Sequence, residues 1–181
     1  MGAQSFVVVF LGCGCHQSKA FEGFVRKGFF FLTDLSWHHG VFAIAVGGGA
    51  NKVSAPDKTE ADLIIGELQK YRMSGVKLLS DRTVLTVIDK LRAVCTILKE
   101  QGIEPKDGTT IFCDTSQARA VSFIAPRLLP RPISVREFQV SEQRRWLGAR
   151  WVDTLAEIFS YYSARVYTWN FKRHQRRAEI S

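Results

Sequence analysis

Four runs rich in β-branched and aromatic residues, 5–11, 41–46, 76–79 and 109–113, are apolar almost without interruption. A strand with one wet face alternates apolar and polar residues, because successive side chains point to opposite sides. Runs without alternation fit strands covered on both faces, as in a parallel sheet between helical layers.

The segments between these runs change to helical spacing. Phe21, Phe24, Val25 and Phe29 predict a helix reaching about Leu32, and Leu63, Ile64, Leu68 and Tyr71 predict a second, opened by Thr59-Glu60 and closed before Gly75. Val84, Val87, Ile88, Leu91, Val94, Cys95 and Leu98 mark a third, ending at Gly102. A fourth runs from Thr115 to about Leu128 and is stopped by Pro130 and Pro132. Residues 133–140 suggest one more strand, and 146–167 are aromatic with a helical period. Strand–helix–strand alternation with short connections predicts an α/β, Rossmann-like, three-layer fold with a mainly parallel sheet and right-handed crossovers. The expected organisation is a Rossmann-like unit over 1–140. A C-terminal helical extension over 141–181, ending in the basic run Lys172-Arg173-His174-Gln175-Arg176-Arg177, belongs to the same globule.

In such a sheet ligands bind beyond the carboxyl ends of the strands. The loops there read Gly12-Cys13-Gly14-Cys15-His16, Gly47-Gly48-Gly49-Ala50-Asn51, Ser80-Asp81-Arg82-Thr83 and Asp114-Thr115-Ser116-Gln117. Glycines at 12, 14 and 47–49 either make tight turns only or let backbone N–H groups approach a phosphate or carboxylate. Two such loops at two strand ends favour the ligand reading. Gly12-Cys13-Gly14 begins like a dinucleotide fingerprint, but Gln17 stands where the third glycine belongs, and no Walker-type Gly-Lys-Ser/Thr exists. Cys13, Cys15 and His16 match no standard zinc spacing, so no metal site is assigned. Cys13 could be activated at a helix N-terminus, but no acid that would orient a partner histidine is identifiable. Thr59, Asp81 and Thr83 read as helix caps, Thr83 for a helix beginning at Val84. Arg82 offers a planar fork for a carboxylate or phosphate, and for Glu60 a functional role is also favoured.

With 46% hydrophobic and 23% charged residues among 181, the composition fits neither a disordered chain nor a coiled coil. No apolar stretch approaches the length of a spanning helix. Positions 6–11 before Gly12-Cys13 lack the positive flank of a signal peptide, and Gly2 lacks a serine at the myristoylation position, so a cytoplasmic location is expected. Four cysteines at this size are best read as reduced thiols. The net charge of +8 is uneven: residues 1–120 hold 14 Lys+Arg against 12 Asp+Glu, and residues 121–181 hold 11 against 5. The basic third is either a solvated helical face or a surface for nucleic acid, anionic lipid or a phosphorylated ligand. Its aromatics, Trp146, Trp151, Tyr161, Tyr162, Tyr167 and Trp169, interleave with the cations, and at helical spacing they read most economically as an apolar face packed on the sheet or on another subunit. Without a nucleic-acid motif, any nucleic-acid binding is expected to be weak and salt-sensitive.

Taken in order, these pieces resemble the YdcF-like family of bacterial domains, the group that includes SanA and ElyC. The resemblance rests on Val7 to Gly14, on Val46-Gly47-Gly48-Gly49 and on Thr59-Glu60-Ala61. Gly75-Val76 then leads into Ser80-Asp81-Arg82-Thr83 and Thr86, and Arg119-Ala120 closes the series. The departures are Ser80 for the family's Glu, Leu85 for its Asn, Ile88-Asp89 for its Glu-Asn, and Ser116 for its His. The resemblance implies a Rossmann-like fold and S-adenosylmethionine as a candidate ligand, and loss of the histidine removes the natural proton carrier near neutral pH.

The leading expectation is therefore a nucleotide-like or anionic small molecule bound at Gly12, Cys13, Gly14, Gly47, Gly48, Gly49, Glu60, Asp81, Arg82, Thr83, Thr86, Ser116 and Arg119. Transfer or hydrolysis chemistry is compatible with that site, but no nucleophile is nominated and the cofactor is unassigned. The alternative is a non-catalytic binding or scaffold protein whose basic aromatic third contacts nucleic acid, an anionic membrane or a protein partner.

Overall fold

Strand and helix alternate along the chain as the patterning predicts. The computed structural model describes residues 5–12, 18–36, 40–49, 57–71, 73, 75–140 and 147–180. The elements are β1 (Ser5–Leu11), α1 (Lys19–Ser36), β2 (Gly40–Val46), α2 (Glu60–Gln69), β3 (Val76–Asp81), α3 (Val87–Glu100), β4 (Thr109–Asp114), α4 (Thr115–Leu128), β5 (Ile133–Phe138), α5 (Leu147–Tyr162) and α6 (Ala164–Ile180). The five strands form one sheet in the order β3-β2-β1-β4-β5, and every neighbouring pair is parallel. That is the strand order of a doubly wound Rossmann-like sheet, and it reverses between β1 and β4.

β1 shows why its sequence does not alternate. Val7, Val9 and Leu11 point into a core shared with Val87, Leu91 and Val94 of α3 and with Val121 and Ile124 of α4. Val8 and Phe10 point the other way, onto Phe21, Phe24 and Leu32 of α1 and onto Ile64 and Leu68 of α2. Both faces are dry, so both must be apolar. On the α1 side the filler is aromatic: Phe10 stacks on Phe112 with centroids 5.3 Å apart, and Phe112 stacks on Phe138 at 5.4 Å.

α1 runs on to Ser36 and β3 to Asp81, past the expected ends at about Leu32 and Leu79, and three further boundaries differ from the sequence reading for identifiable reasons. α3 begins at Val87 rather than Val84, with Thr86 as its N-cap, because Gly48 N–H takes the Val84 carbonyl and holds residues 82–85 as a loop. β5 stops at Phe138, two residues short of the expected end; Val140 N–H donates instead to the Asp114 carboxylate at 2.8 Å. The aromatic segment is two helices, broken at Ser163, whose carbonyl accepts from Tyr167 N–H in the first turn of α6. The basic run lies within α6.

α5 docks on the outer side of α3 and α4, and α6 packs on α5. Ala156, Ile158 and Tyr161 meet the core there, and polar contacts join them: the Glu157 carboxylate accepts from Val87 N–H at the start of α3 and meets His174 of α6 at 2.7 Å, while Tyr167 Oη of α6 donates to Asp89. None of the helices is long and apolar enough among the described residues to cross a membrane.

Candidate functional site

The carboxyl ends of β1, β2 and β3 lie level, with Leu11 opposite Val46 and Val46 opposite Asp81. The glycine loops leave the sheet here, and the first helical residue after the second loop is Glu60. Its side chain fills the space that glycine leaves. A Cβ on Gly12 would lie 2.6 Å from the Cβ of Glu60, and one on Gly47 would lie 2.8 Å from it. The helix start is tied to the loop as well: Glu60 N–H and Ala61 N–H donate to the carbonyls of Gly48 and Gly47. Glycine is required at 12 and 47 because a helix N-terminus seats directly on them.

The Glu60 carboxylate is buried and is met by Lys90 of α3, Nζ to Oε2 at 3.0 Å, with 7% and 3% of the two side chains exposed. Lys90 also donates to the Gly12 carbonyl at 2.5 Å. Gln117, in the first turn of α4, donates to the same carbonyl through Nε2 at 3.0 Å. Two helices, α3 and α4, thus converge on one carbonyl at the end of β1, where the strand order reverses, and α2 is tied in through the Glu60–Lys90 pair. The Gln117 Oε1 is buried with no hydrogen-bond partner among the described residues. A buried ion pair repays its desolvation only when geometry and extra hydrogen bonds are good, and here both ions are fixed by the backbone they support.

The backbone donors of this edge are largely engaged. Gly12, Gly47 and Gly48 N–H groups donate to the carbonyls of Val46, Asp81 and Val84. Thr59 and Asp62 form a reciprocal capping box on α2, and Thr86 accepts from Asp89 N–H on α3. Asp114 accepts from Ser116 N–H at the start of α4 and from the Ser116 hydroxyl. A phosphate seated in the manner of a glycine-rich nucleotide loop would need such groups free.

The individual residues therefore divide. Gly12, Gly47, Gly48 and Glu60 come together around Lys90, with half-buried Gly49 continuing the loop. Asp81 accepts from both the N–H and the hydroxyl of Thr83, each at 2.8 Å, so Thr83 closes a turn on Asp81 instead of capping α3. Arg82 pairs with Asp62 at 2.9 Å beside the α2 cap, and Thr86 is buried as the α3 cap. For Asp62, burial raises the carboxyl, but the bonds from Thr59 and the Arg82 charge outweigh it and leave it below its usual value. Ser116 is exposed at the mouth of the β1–β4 reversal. Arg119 stacks instead on Trp151 of α5, 4.3 Å from the ring centre, and lines an open cleft with Ser122, Phe123, Val135 and Glu137 between α4 and β5. Cys13 and Gly14, with Cys15 and His16, lie outside the described residues.

The sequence reading missed Lys90, although a signal was present. It occupies the i+3 place after Val87 and the place before Leu91, on the apolar stripe of α3 where a lysine is out of pattern. Asp114 and Gln117 were placed at the strand end without a role. Among the described residues no three His, Cys, Asp or Glu side chains gather as metal ligands would. The assembled groups, an amine, a carboxylate, an amide and a nearby hydroxyl, can orient a polar ligand through hydrogen bonds.

No protein-family model, curated protein or solved structure matches this chain. The resemblance to YdcF-like domains thus stands on motif order alone.

Proposed function

We propose that the protein binds a small nucleotide-like or anionic molecule at the β1–β4 reversal, above the Gly12 carbonyl. The observation that carries this reading is the convergence of Lys90 and Gln117 on that carbonyl, with the Gln117 Oε1 buried there without a partner among the described residues. Buried polar atoms are almost always satisfied, so an unused amide oxygen at the ligand-binding end of a doubly wound sheet is a ready acceptor for an exocyclic amine or hydroxyl. Lys90 spends two of its three N–H donors on Glu60 and Gly12, and Ser116 adds an exposed hydroxyl. The engaged glycine N–H groups favour recognition by side chains over a backbone phosphate cradle.

The test is a thermal-shift screen of the full chain against adenosine compounds, S-adenosylmethionine first, and sugar phosphates, followed by titration calorimetry on any hit. A ligand at a hundred times its Kd stabilises by about 2.7 kcal/mol, which a melting curve resolves. Gln117→Ala should then weaken binding about tenfold, the worth of one hydrogen bond of about 1.4 kcal/mol. A hit whose affinity is unchanged by Gln117→Ala and by Ser116→Ala, or a panel without hits at millimolar concentration, would overturn the reading.

A further inference from the structure

α5 leaves its largest apolar side chains at the surface. Its exposed residues Trp151, Val152, Leu155, Phe159 and Tyr162 fall within about 100° of arc at 3.6 residues per turn. Trp151 is 52% exposed, Phe159 54% and Tyr162 62%. The buried residues are Thr154, Ala156, Glu157 and Ser160, mostly polar, with Ile158 and Tyr161 half-buried against the core. A helix packed on a core in water alone shows the reverse distribution. The outward stripe is continuous and holds no charge between 151 and 162.

Cations border this stripe at both ends. Arg119 of α4 lies over the Trp151 ring, and Arg127 lies 3.8 Å over Phe123, which meets the Tyr162 ring edge-on at 6.3 Å. Arg165, Lys172 and Arg176 of α6 are exposed as well. Up to residue 176 the acids of these two helices are spent internally: Asp153 pairs with Arg173, and Glu157 with His174. From 115 to 176 Glu137 is the one exposed acid among the described residues.

We propose that the α5 stripe and its arginine border form a docking surface for an anionic phospholipid membrane, with α5 lying in the plane of the interface. Charge selects this occupant. A second copy meeting the stripe symmetrically would set Arg119 and Arg127 against their own counterparts with little to neutralise them. Nucleic acid would satisfy the arginines but leave Val152 and Leu155 against water or phosphate. An anionic bilayer accepts both features: aliphatic and aromatic side chains enter the headgroup–acyl boundary, where Trp and Tyr are favoured, and guanidinium groups meet the headgroups. The inner face, bonded to α3 through Glu157, and α6, bonded to α3 through Tyr167, keep the helix seated on the protein while its apolar stripe turns outward.

Vesicle flotation with the full chain tests this, using phosphatidylcholine vesicles with and without 30% phosphatidylglycerol (a composition chosen on the order of natural anionic leaflets). The protein should float with the anionic vesicles and partition onto neutral ones at least tenfold less, with a blue shift of tryptophan emission on binding. Phe159→Glu and, separately, the pair Arg119→Glu with Arg127→Glu should each reduce partition at least tenfold while the melting temperature stays within a few degrees. Absence of flotation with anionic vesicles would overturn the proposal. So would flotation that Phe159→Glu leaves intact, which would assign binding to the basic end of α6. A concentration-dependent dimer abolished by Phe159→Glu, or a duplex or single-stranded oligonucleotide that binds more tightly than the vesicles, would likewise replace the membrane with another partner.

Discussion

Replacing Lys90 by methionine keeps its unbranched stem in the apolar stripe of α3 and removes the charge that faces Glu60. The Glu60 carboxylate would remain against Gly12 and Gly47, 7% exposed, without the ammonium 3.0 Å away. Removing one partner of a buried pair costs about 3–5 kcal/mol, because the remaining charge loses its counter-ion in surroundings that water does not reach. For a chain of this length each kcal/mol lowers Tm by about 2–4 °C, so Lys90→Met should melt about 6–20 °C below the parent. Adding Glu60→Gln removes the charge that Lys90 balanced while keeping the shape that fills the glycine notch. The double variant should therefore be more stable than Lys90→Met alone, with a coupling energy of about 2 kcal/mol or more in the double-mutant cycle. Urea denaturation of the four proteins at pH 7 provides the measurement. A cost for Lys90→Met below about 1 kcal/mol, or additivity of the two substitutions within about 0.5 kcal/mol, would refute the view that this pair holds the ends of β1 and β2 against α2 and α3.

Gly47→Ala would put a Cβ 2.5 Å from the Glu60 Oε2 and 2.8 Å from its Cβ, so it should destabilise by about 1–3 kcal/mol in chemical denaturation; a neutral effect would mean that α2 can shift freely. Thr59→Ala removes the α2 capping box and should cost about 1 kcal/mol. Because the folded Asp62 carboxyl lies below its usual 3.8, its contribution is complete above that pH and is lost as pH falls through the folded value. Thr59→Ala should flatten that acid limb in melts between about pH 4 and 2, and an unchanged slope would remove Thr59 as the cause. Burial, with the Asp114 and Glu137 charges, pushes the Cys113 thiol up to about 12 from 9.0. Its stabilising contribution is intact below pH 9 and lost as pH rises toward 12; iodoacetamide at pH 8 should spare Cys113 in the native protein and label it in urea, as mass spectrometry would show.

The layered α/β architecture was legible because its cause is local. A strand buried on both faces must be apolar at every position, and a helix covering it must repeat its apolar residues every three or four, so the runs at 5–11 and 109–113 and the spacing of Leu63, Ile64 and Leu68 report their surroundings directly. The glycines at 12 and 47 announced a close approach, but not what approaches; only the fold brings Glu60 into the space they leave, and only the packing of α3 beneath β1 delivers Lys90 to it. The start of α3 was misplaced by three residues for the same kind of reason, since the Val84 carbonyl is claimed by Gly48 from a loop far away in sequence. Periodicity also found the aromatic helical segment over 146–167, but packing of its aromatic face on the sheet is not what the fold shows: Trp151, Tyr162 and Trp169 are exposed. Helical spacing fixes which residues share a face; whether that face is dry depends on what the rest of the chain packs against it. Here α3 and α4 receive Thr154, Ala156, Glu157 and Ser160, and the stripe from Trp151 to Tyr162 is left at the surface.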